Sequence, residues 1–307
     1  MATIIDPSTG QPQGTATVKY TAAGIANPLN RLVHVWFRGD DYKVTGTFTR
    51  FSHLRLKVVC TMLTVGCSVN NDWITKQIGD WNDGKWHDWV INSDETQSAQ
   101  QPEKVLRNLW AFTGQAVDST GAVTVPGYGA RHGIRCDSAD YFRFNPKACI
   151  FTDVIPHLQY RYNEGYDGVT AHINRAQNSP AQTYPNYGTE KKIPGKYLGD
   201  PNDLGLQRVA YDGPTWNLNA AEKTKACNRR PPYTGPNQLP PYDTETRQCD
   251  EYPFASTAQG AGKGDGNFSV QDVLSAENGR AGIGLRLYYV ADRILYGDLD
   301  AFYVRAG

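Results

Sequence analysis

The stretch Arg247-Gln-Cys-Asp-Glu-Tyr-Pro-Phe-Ala-Ser256 decides the fold of the C-terminal part of the chain. Proline cannot donate to a strand ladder, so we expect a strand that ends just before Pro253. A second segment, Val273-Leu-Ser-Ala-Glu-Asn-Gly-Arg-Ala-Gly282, follows after a Gly-rich turn and places Asn278 at the predicted start of a helix. Together the two segments bring carboxylates and one amide to a hairpin and its following helix, which predicts a metal and proton-transfer site.

The final third of the chain predicts a strand, a long turn, a strand, a helix and closing strands. The second strand is expected over residues 268–274 and the helix from Asn278 to about Ala291, despite Gly282 and Gly284. Residues 294–296 and 301–304 predict the closing strands. This order gives a ββα core at about residues 247–291.

The composition is that of a loop-rich globular protein. The chain has 307 residues, with 31 basic and 31 acidic side chains, 30 Gly and 18 Pro. Balanced charge excludes a global basic field, so any polyanion has to be held by a local patch. We find no apolar window long enough to span a membrane and no leader-like start, which predicts a soluble chain whose signal peptide was removed or which is exported by another route.

Six cysteines fall along the chain as three pairs of near neighbours. We favour the sequential pairing of Cys60 with Cys67, of Cys136 with Cys149 and of Cys227 with Cys249, because it closes short loops. An even count without CxxC spacing favours an oxidising, extracellular compartment, and therefore a secreted protein, over a zinc site. Six buried free thiols are the alternative.

Residues 1–125 predict an all-β, sandwich-like domain. Four runs alternate with a period of two and are separated by Gly, Asn and Asp clusters. They cover residues 15–20, 32–37, 54–60 and 86–91. Cys60 and Cys67 are expected to join the two arms of one hairpin. Four tryptophans lie within residues 73–89. Tryptophans most often pack against a sheet, and binding of a carbohydrate or a partner is the alternative.

A stretch of small and turn residues after Thr113 predicts the domain boundary near residue 125, with a second domain over residues 126–307. In that second domain we expect one helix over residues 169–176 and another over residues 219–230, the latter capped by Asn219. Residues 186–230 are basic. The predicted phosphate- or DNA-binding residues around the motif are Arg229, Arg230, Arg247, Arg280 and Arg286; for each of them a solvated charged face is the alternative.

The chemistry expected of the site is metal-assisted phosphodiester hydrolysis. In a ββα-metal arrangement, a base on the first strand faces a cation ligand on the helix, and the cation polarises the phosphate. We predict Asp250 as the base, with Asn278 as a neutral oxygen ligand. Glu251 or Glu277 supplies a further ligand, directly or through water. The expected cofactor is one divalent ion such as Mg²⁺ or Mn²⁺.

The predicted ββα core contains no histidine, since all six His precede the hairpin in the sequence. No His near the motif in sequence can therefore be the base. His172 can reach the site from its helix, although a single His on an amphipathic helix more often has a structural role.

These motifs resemble the secreted bacterial NucA/NucB-type deoxyribonucleases. The resemblance rests on Cys249-Asp-Glu-Tyr-Pro-Phe-Ala, on Phe268-Ser-Val and on Glu277-Asn-x-x-Ala-Gly282, with Val169-Thr-Ala-His-Ile upstream. The cysteine segments at residues 136–139 and 149–156 are similar to longer actinobacterial members. The resemblance thus covers about residues 130–307, and the first 125 residues match no family known to us.

The resemblance implies a non-specific, metal-dependent endonuclease with Asp in place of the usual catalytic His. Asp250 matches the family's catalytic Asp, Glu251 the adjacent motif Glu, and Asn278 the helix Asn. One departure concerns the arginine of the second motif. Shorter members carry Asp-Asn-Arg-Gly-Ala-Gly, whereas here Arg280 is displaced by one position, which puts its phosphate contact in doubt.

Two classes of function follow from the sequence. The first is an extracellular DNA endonuclease, expected to be monomeric, whose N-terminal domain targets, anchors or carries it; a toxin effector is one variant. The second is a glycan- or cell-wall-binding β-sandwich protein with a degenerate nuclease domain. Intact Asp250 and Asn278 favour the enzyme.

Overall fold

The computed structural model describes residues 1–6, 8–61, 65–98, 102–187, 190–200 and 203–307. The chain divides into two units, Met1–Val154 and Ile155–Gly307. The first is built of strands, and the second combines strands with three α-helices among its described residues, which gives an α+β protein with an all-β unit. In the described part of the chain, no helix is long and apolar enough to cross a bilayer.

The strands of the first unit form two sheets. They are β1 (Ala2–Ile5), β2 (Pro12–Ala26), β3 (Leu32–Gly46), β4 (His53–Thr61), β5 (Cys67–Val69), β6 (Ile74–Gln77), β7 (His87–Ser93), β8 (Leu106–Val117), β9 (Gly127–Tyr128), β10 (His132–Asp137) and β11 (Ala148–Phe151). One sheet has the order β1-β2-β3-β7-β5 and the other β11-β10-β8-β4-β6, with β9 paired to β8.

The two sheets share one hydrophobic core, which confirms the predicted sandwich. Inward residues of β3 and β7, such as Val35 and Trp89, pack with Val58 of β4 and Trp110 of β8. Every second residue of β3 from Val33 to Gly39 is buried, as expected of a strand with one face on a core. The alternation read from the sequence therefore reports a real inside face.

The tryptophan cluster divides between core and surface. Trp81 and Trp89 are buried, whereas Trp86 is 44% exposed. Arg38 lies over the ring of Trp86, and two cations lie over the half-buried Trp73. Packing thus accounts for two of the four rings.

All three predicted disulfides are present: Cys60–Cys67, Cys136–Cys149 and Cys227–Cys249. The second joins directly paired residues of β10 and β11. The first differs from expectation, because Cys60 lies on β4 and Cys67 on β5, which belong to different sheets. It therefore ties the sandwich together instead of closing one hairpin.

The expected domain boundary near residue 125 lies inside the first unit. Strand β10 pairs with β8, and β11 pairs with β10, so residues up to 154 complete the second sheet. The Gly-rich stretch is a connection within that sheet and carries β9. The cysteine segments assigned to the nuclease domain consequently belong to the sandwich.

The second unit is built around a two-stranded hairpin. Its elements are β12 (His157–Tyr160), α1 (Asp167–Asn178), α2 (Pro214–Cys227), β13 (Arg247–Tyr252), β14 (Ser269–Leu274), α3 (Ser275–Ala291) and β15 (Tyr303–Ala306). Strands β13 and β14 are antiparallel, with Asp250 opposite Gln271, and α3 begins directly after β14. Strand β15 pairs in parallel with β12.

The hairpin is covered on both faces. On one face, Tyr252 and Val273 share a core with Ile173 of α1 and Ala281 of α3. On the other, Cys249 and Val270 pack with Ala226 and Cys227 of α2. Neighbouring residues of β13 therefore lie in different environments, and this applies to the acidic pair Asp250 and Glu251.

Helix α2 differs from its prediction at the N-terminus. It begins at Pro214, a favoured first helical residue, instead of at Asn219. Asn219 is buried within the helix, where its Nδ2 donates to the carbonyls of Ala255 and Thr257 and its Oδ1 accepts from the amide of Gly262. This residue fixes the loop that follows β13.

Candidate active site

Asp250 and Glu251 lie on opposite faces of the hairpin. Successive strand residues point to opposite sides, and cross-strand partners point to the same side. Asp250, opposite Gln271, faces α1, whereas Glu251, opposite Val270, faces α2. The structure therefore does not bring the two predicted carboxylates together, because the pleat places them on opposite faces.

The sequence left the role of His172 undecided, and the structure places this residue in contact with Asp250. Its Nδ1 lies 2.7 Å from Oδ2 of Asp250, and its Nε2 lies 2.8 Å from Oγ of Ser269. His172 and Ser269 are fully buried, whereas the side chain of Asp250 is 12% exposed. With a proton on Nδ1, the imidazole donates to the carboxylate and accepts from the serine hydroxyl. This arrangement fixes the orientation of Asp250.

The local sequence explains the position of His172. Val169, Ile173 and Ala176 form the buried stripe of α1 at helical spacing, and His172 lies beside that stripe. Ser269 and Asp250 are on the same face of the hairpin, where they meet this side of α1. Sequence spacing gives no signal for the pair, since His172 and Asp250 are 78 positions apart.

Asn278 joins the same face from the first turns of α3. Its Nδ2 donates to Oε1 of Gln248 at 3.1 Å. Gln248 precedes Asp250 by two residues, a separation of about 7 Å along a strand. Asn278 is half-buried, and through Gln248 the predicted helix amide contacts the hairpin face that carries the predicted base.

Glu277 fixes the beginning of α1. Its Oε2 accepts from the amide of Gly168 at 2.7 Å, which places a carboxylate at the positive end of that helix. A Cβ on Gly168 would lie 2.6 Å from the same oxygen, so glycine permits the approach. Glu277 therefore links α3 to the helix that carries His172.

Among the predicted arginines, those of α3 lie closest in sequence to Asn278. Nη1 of Arg280 donates to the carbonyl of Gly165 at 2.8 Å, and both Arg280 and Arg286 are exposed. Arg247 forms an ion pair with Asp272 and donates to its carbonyl. These contacts with Asp272 use part of the hydrogen-bonding capacity of the Arg247 guanidinium.

Arg229 and Arg230 lie elsewhere. They follow the end of α2, the helix that packs on the opposite face of the hairpin from Asp250. The structure therefore does not bring this basic pair to the face of the predicted base, although it lies close in sequence to the motif.

Arg175 is a further basic residue that the sequence analysis missed. It is exposed on α1, one turn after His172, and its Nη1 lies 3.3 Å from Oε1 of Gln271, the register partner of Asp250. A cation three residues after the histidine is a recoverable signal, because residues at that spacing share a helix face.

The environment of Glu251 differs sharply from that of Asp250. Its side chain is buried, and neither carboxyl oxygen has a hydrogen-bond partner within the described residues. Burial raises the pKa of Glu251 to about 8, although nearby Lys223 on α2 opposes the shift. Glu251 is therefore a buried carboxylic acid near neutral pH.

A divalent ion has few protein ligands at this site. Among the described residues, no group of three His, Cys, Asp or Glu side chains is placed to hold a metal. Mg²⁺ often keeps several waters and uses only one or two carboxylates. Asp250 and Glu277 each have one carboxyl oxygen engaged, and Asn278 offers a neutral oxygen, so this face fits a largely hydrated cation.

Comparison with known proteins identifies a family for part of the chain. Residues 202–304 match the family model described as Deoxyribonuclease NucA/NucB. No curated protein and no solved structure matches the chain. The matched region contains β13, β14 and α3 with Asp250 and Asn278, while α1 with His172 precedes it. Residues 202–304 therefore form a NucA/NucB-type deoxyribonuclease domain.

Proposed function

We propose that the protein is an extracellular, metal-dependent endonuclease that hydrolyses DNA phosphodiester bonds without sequence preference, with Asp250 as general base. The observation that carries the proposal is the 2.7 Å contact between His172 Nδ1 and Asp250 Oδ2 on the hairpin face that also receives Asn278. The hairpin followed directly by α3 has the element order of ββα-metal nucleases, which supports the same conclusion.

Asp250 has the features needed to accept a proton from water. His172 engages Oδ2, and the side chain remains partly exposed on a face where substrate has access. The neighbouring oxygen Oδ1 is then the proton acceptor. A fixed carboxylate within hydrogen-bond reach of a water can act as a general base. His172 does not contact substrate, because it is fully buried; it is a positioning residue.

The residues that would hold the divalent ion are Asn278, with Asp250 or Glu277 directly or through water. When bound, the ion polarises the phosphate and stabilises the leaving oxygen. The chain's own residues orient the attacking water through Asp250 and fix the relative positions of α1 and α3 through Glu277. Glu251 has no part in this site.

Arginines around the face suit a polyanionic substrate. Arg175, Arg280 and Arg286 are exposed on the two helices that pack against it. Contacts of arginine to phosphate position a nucleic acid without reading its sequence. This supports cleavage without sequence preference.

The disulfides support action outside the cell. Each of the six cysteines is in a disulfide, and both units contain at least one. Disulfides persist in oxidising compartments and are rare in the cytosol.

Plasmid cleavage in a metal series, with and without EDTA, tests the proposal. We expect cleavage with a divalent ion and none with EDTA, since the ion supplies charge stabilisation. Asp250→Asn should abolish cleavage while preserving the fold, and Glu251→Gln should retain it. Full activity of Asp250→Asn, or unchanged cleavage in EDTA, would refute the assignment.

A further inference from the structure

A cavity of about 250 Å³ lies between the two sheets of the first unit. Protein interiors are normally packed as densely as organic crystals, and voids larger than a water molecule are few. An apolar cavity of about 150 Å³ in another protein stays dry and takes up benzene. The cavity in the sandwich is large enough to admit an apolar group.

Small residues create the space. Ala2 and Ala16 are register partners on β1 and β2, and Gly114 and Gly127 are register partners on β8 and β9, in the other sheet. A Cβ on Gly114 would lie 2.7 Å from Cδ2 of Leu56, a wall residue, whereas one on the exposed Gly127 would meet no atom within 4 Å. The buried tryptophans Trp81, Trp89 and Trp110 do not line the cavity. One region of the core is therefore left unfilled by side chains from both sheets.

The walls are apolar. Those formed by larger side chains are Val18, Phe37, Leu54, Leu56, Ile78 and Phe112. Apart from two tyrosines, the polar side chains of the lining are already engaged, because Thr113 donates to the carbonyl of Gly127, and Gln115 donates to that of Thr124. An occupant therefore gains little from these two side chains.

The rim is amphipathic. Tyr20 and Tyr128 line the cavity and are 47% and 67% exposed. Tyr20 stacks on Phe37, with ring centroids 4.8 Å apart, which continues the apolar wall to the surface. Tyrosine combines an apolar body with a polar hydroxyl and suits the edge of such a site.

We propose that this cavity binds the alkyl chain of an amphiphile, with its polar head in solvent at the tyrosine rim. The aliphatic walls adapt to a flexible chain, the engaged polar groups exclude a polar one, and the exposed rim accommodates the head. The site belongs to the sandwich and is independent of the nuclease activity proposed above.

A series of fatty acids from hexanoate to dodecanoate tests this inference on the full chain. Affinity is measured by displacement of N-phenyl-1-naphthylamine, with each acid below its micelle concentration. Each methylene buried should raise affinity about fourfold. The rise should stop once the cavity is filled. Absence of saturable binding, or affinity independent of chain length, would overturn the proposal.

Two variants locate the site. Ala16→Leu fills the cavity from β2 and should weaken decanoate binding at least tenfold, whereas Ala23→Leu, exposed on the same strand and away from the lining, should leave it unchanged. Should Ala16→Leu fail to fold by circular dichroism, Val18→Phe decides, since Val18 is half-buried and lines the cavity from the same strand. Unchanged binding in the folded cavity variant would refute this location.

A second experiment, with phosphatidylcholine vesicles, distinguishes whether the bound alkyl chain comes from a membrane lipid or from a free amphiphile. If the parent protein co-sediments with the vesicles and the Ala16→Leu variant does not, the alkyl chain comes from a membrane lipid. Binding of decanoate without co-sedimentation would identify a free amphiphile. If the Ala16→Leu variant still co-sediments with vesicles and still binds decanoate, the proposed binding site is wrong.

Discussion

His172 Nδ1 lies 2.7 Å from Asp250 Oδ2, and this contact joins helix α1 to strand β13 across 78 positions of the sequence. Ser269 engages the other nitrogen of the same imidazole. A buried chain of hydrogen bonds thus ends on a carboxylate that reaches solvent. The relationship gives Asp250, the proposed general base, a fixed orientation.

Replacing His172 by Ala should lower kcat for plasmid cleavage by about 10–100-fold with little change in KM, as removal of a supporting partner typically does. His172→Gln, which can still donate to Asp250, should recover part of the loss. Rates from initial nicking and a pH profile provide the measurement.

The matched control is His132→Ala. His132 also pairs with an aspartate, Asp153, at 2.8 Å, but it belongs to the first unit. Its removal should leave cleavage unchanged. Equal losses in the two variants, or a His172→Ala variant that only melts earlier and cleaves normally, would show that the histidine does not position the base.

Glu251→Gln should stabilise the protein more at pH 8 than at pH 5. The pKa of Glu251 is raised to about 8 in the folded state from 4.5. Above pH 4.5 the unfolded carboxyl loses its proton while the folded one keeps it, so wild-type stability falls as pH rises to about 8. The variant avoids a loss of roughly 3–5 kcal/mol.

Urea denaturation of both proteins at the two pH values measures this difference. Glu245→Gln, an exposed position before the same strand, serves as control and should show little dependence. A pH-independent difference for Glu251→Gln would contradict the assignment of a buried neutral acid.

Arg175→Gln should weaken DNA binding and raise KM, because the exposed guanidinium lies beside the Asp250–Gln271 pair. If it contacts one phosphate, the slope of log affinity against log salt should decrease by about 1. Fluorescence anisotropy with an Asp250→Asn background prevents cleavage during the measurement.

Arg230→Gln is the comparison for Arg175, since Arg230 is exposed after α2, on the other face of the hairpin. We expect its salt slope and affinity to match those of the parent. The reverse outcome, with Arg230 required and Arg175 dispensable, would place DNA on the α2 side.

Removing the Cys227–Cys249 disulfide should destabilise the second unit by about 3 kcal/mol, as expected for a loop of this length. Since the bond joins α2 to β13, cleavage by the Cys227→Ala/Cys249→Ala variant should fail at a lower temperature than in the parent. Removing Cys60–Cys67, in the sandwich, should leave the temperature limit of cleavage unchanged. Loss of cleavage in both variants would argue against separate units.

Local chemistry made much of the architecture of both units predictable. Pro253 follows the end of β13, and the alternation of β3 marked its buried face. The spacing of Val169, Ile173 and Ala176 gave α1. Short loops between cysteines gave all three disulfides. Each of these signals acts over a few residues.

Long-range packing explains why the domain boundary and the start of α2 were predicted incorrectly. The small residues after Thr113 favour a linker, but pairing of β10 with β8 keeps them in the sandwich. Asn219 has the chemistry of a helix cap, yet its hydrogen bonds go to a loop more than thirty residues later. Neither outcome is encoded in the neighbouring sequence.

The sequence by itself determined the motif, with Asp250 and Asn278 in their hairpin and helix, and the family of residues 202–304. Only the tertiary structure decided which side chains share a face. Strand pleating sends Glu251 away from Asp250, and helix packing brings His172 and Arg175 to it. The physical reason is that local geometry sets where a side chain points, whereas the elements packed against that face decide what it meets.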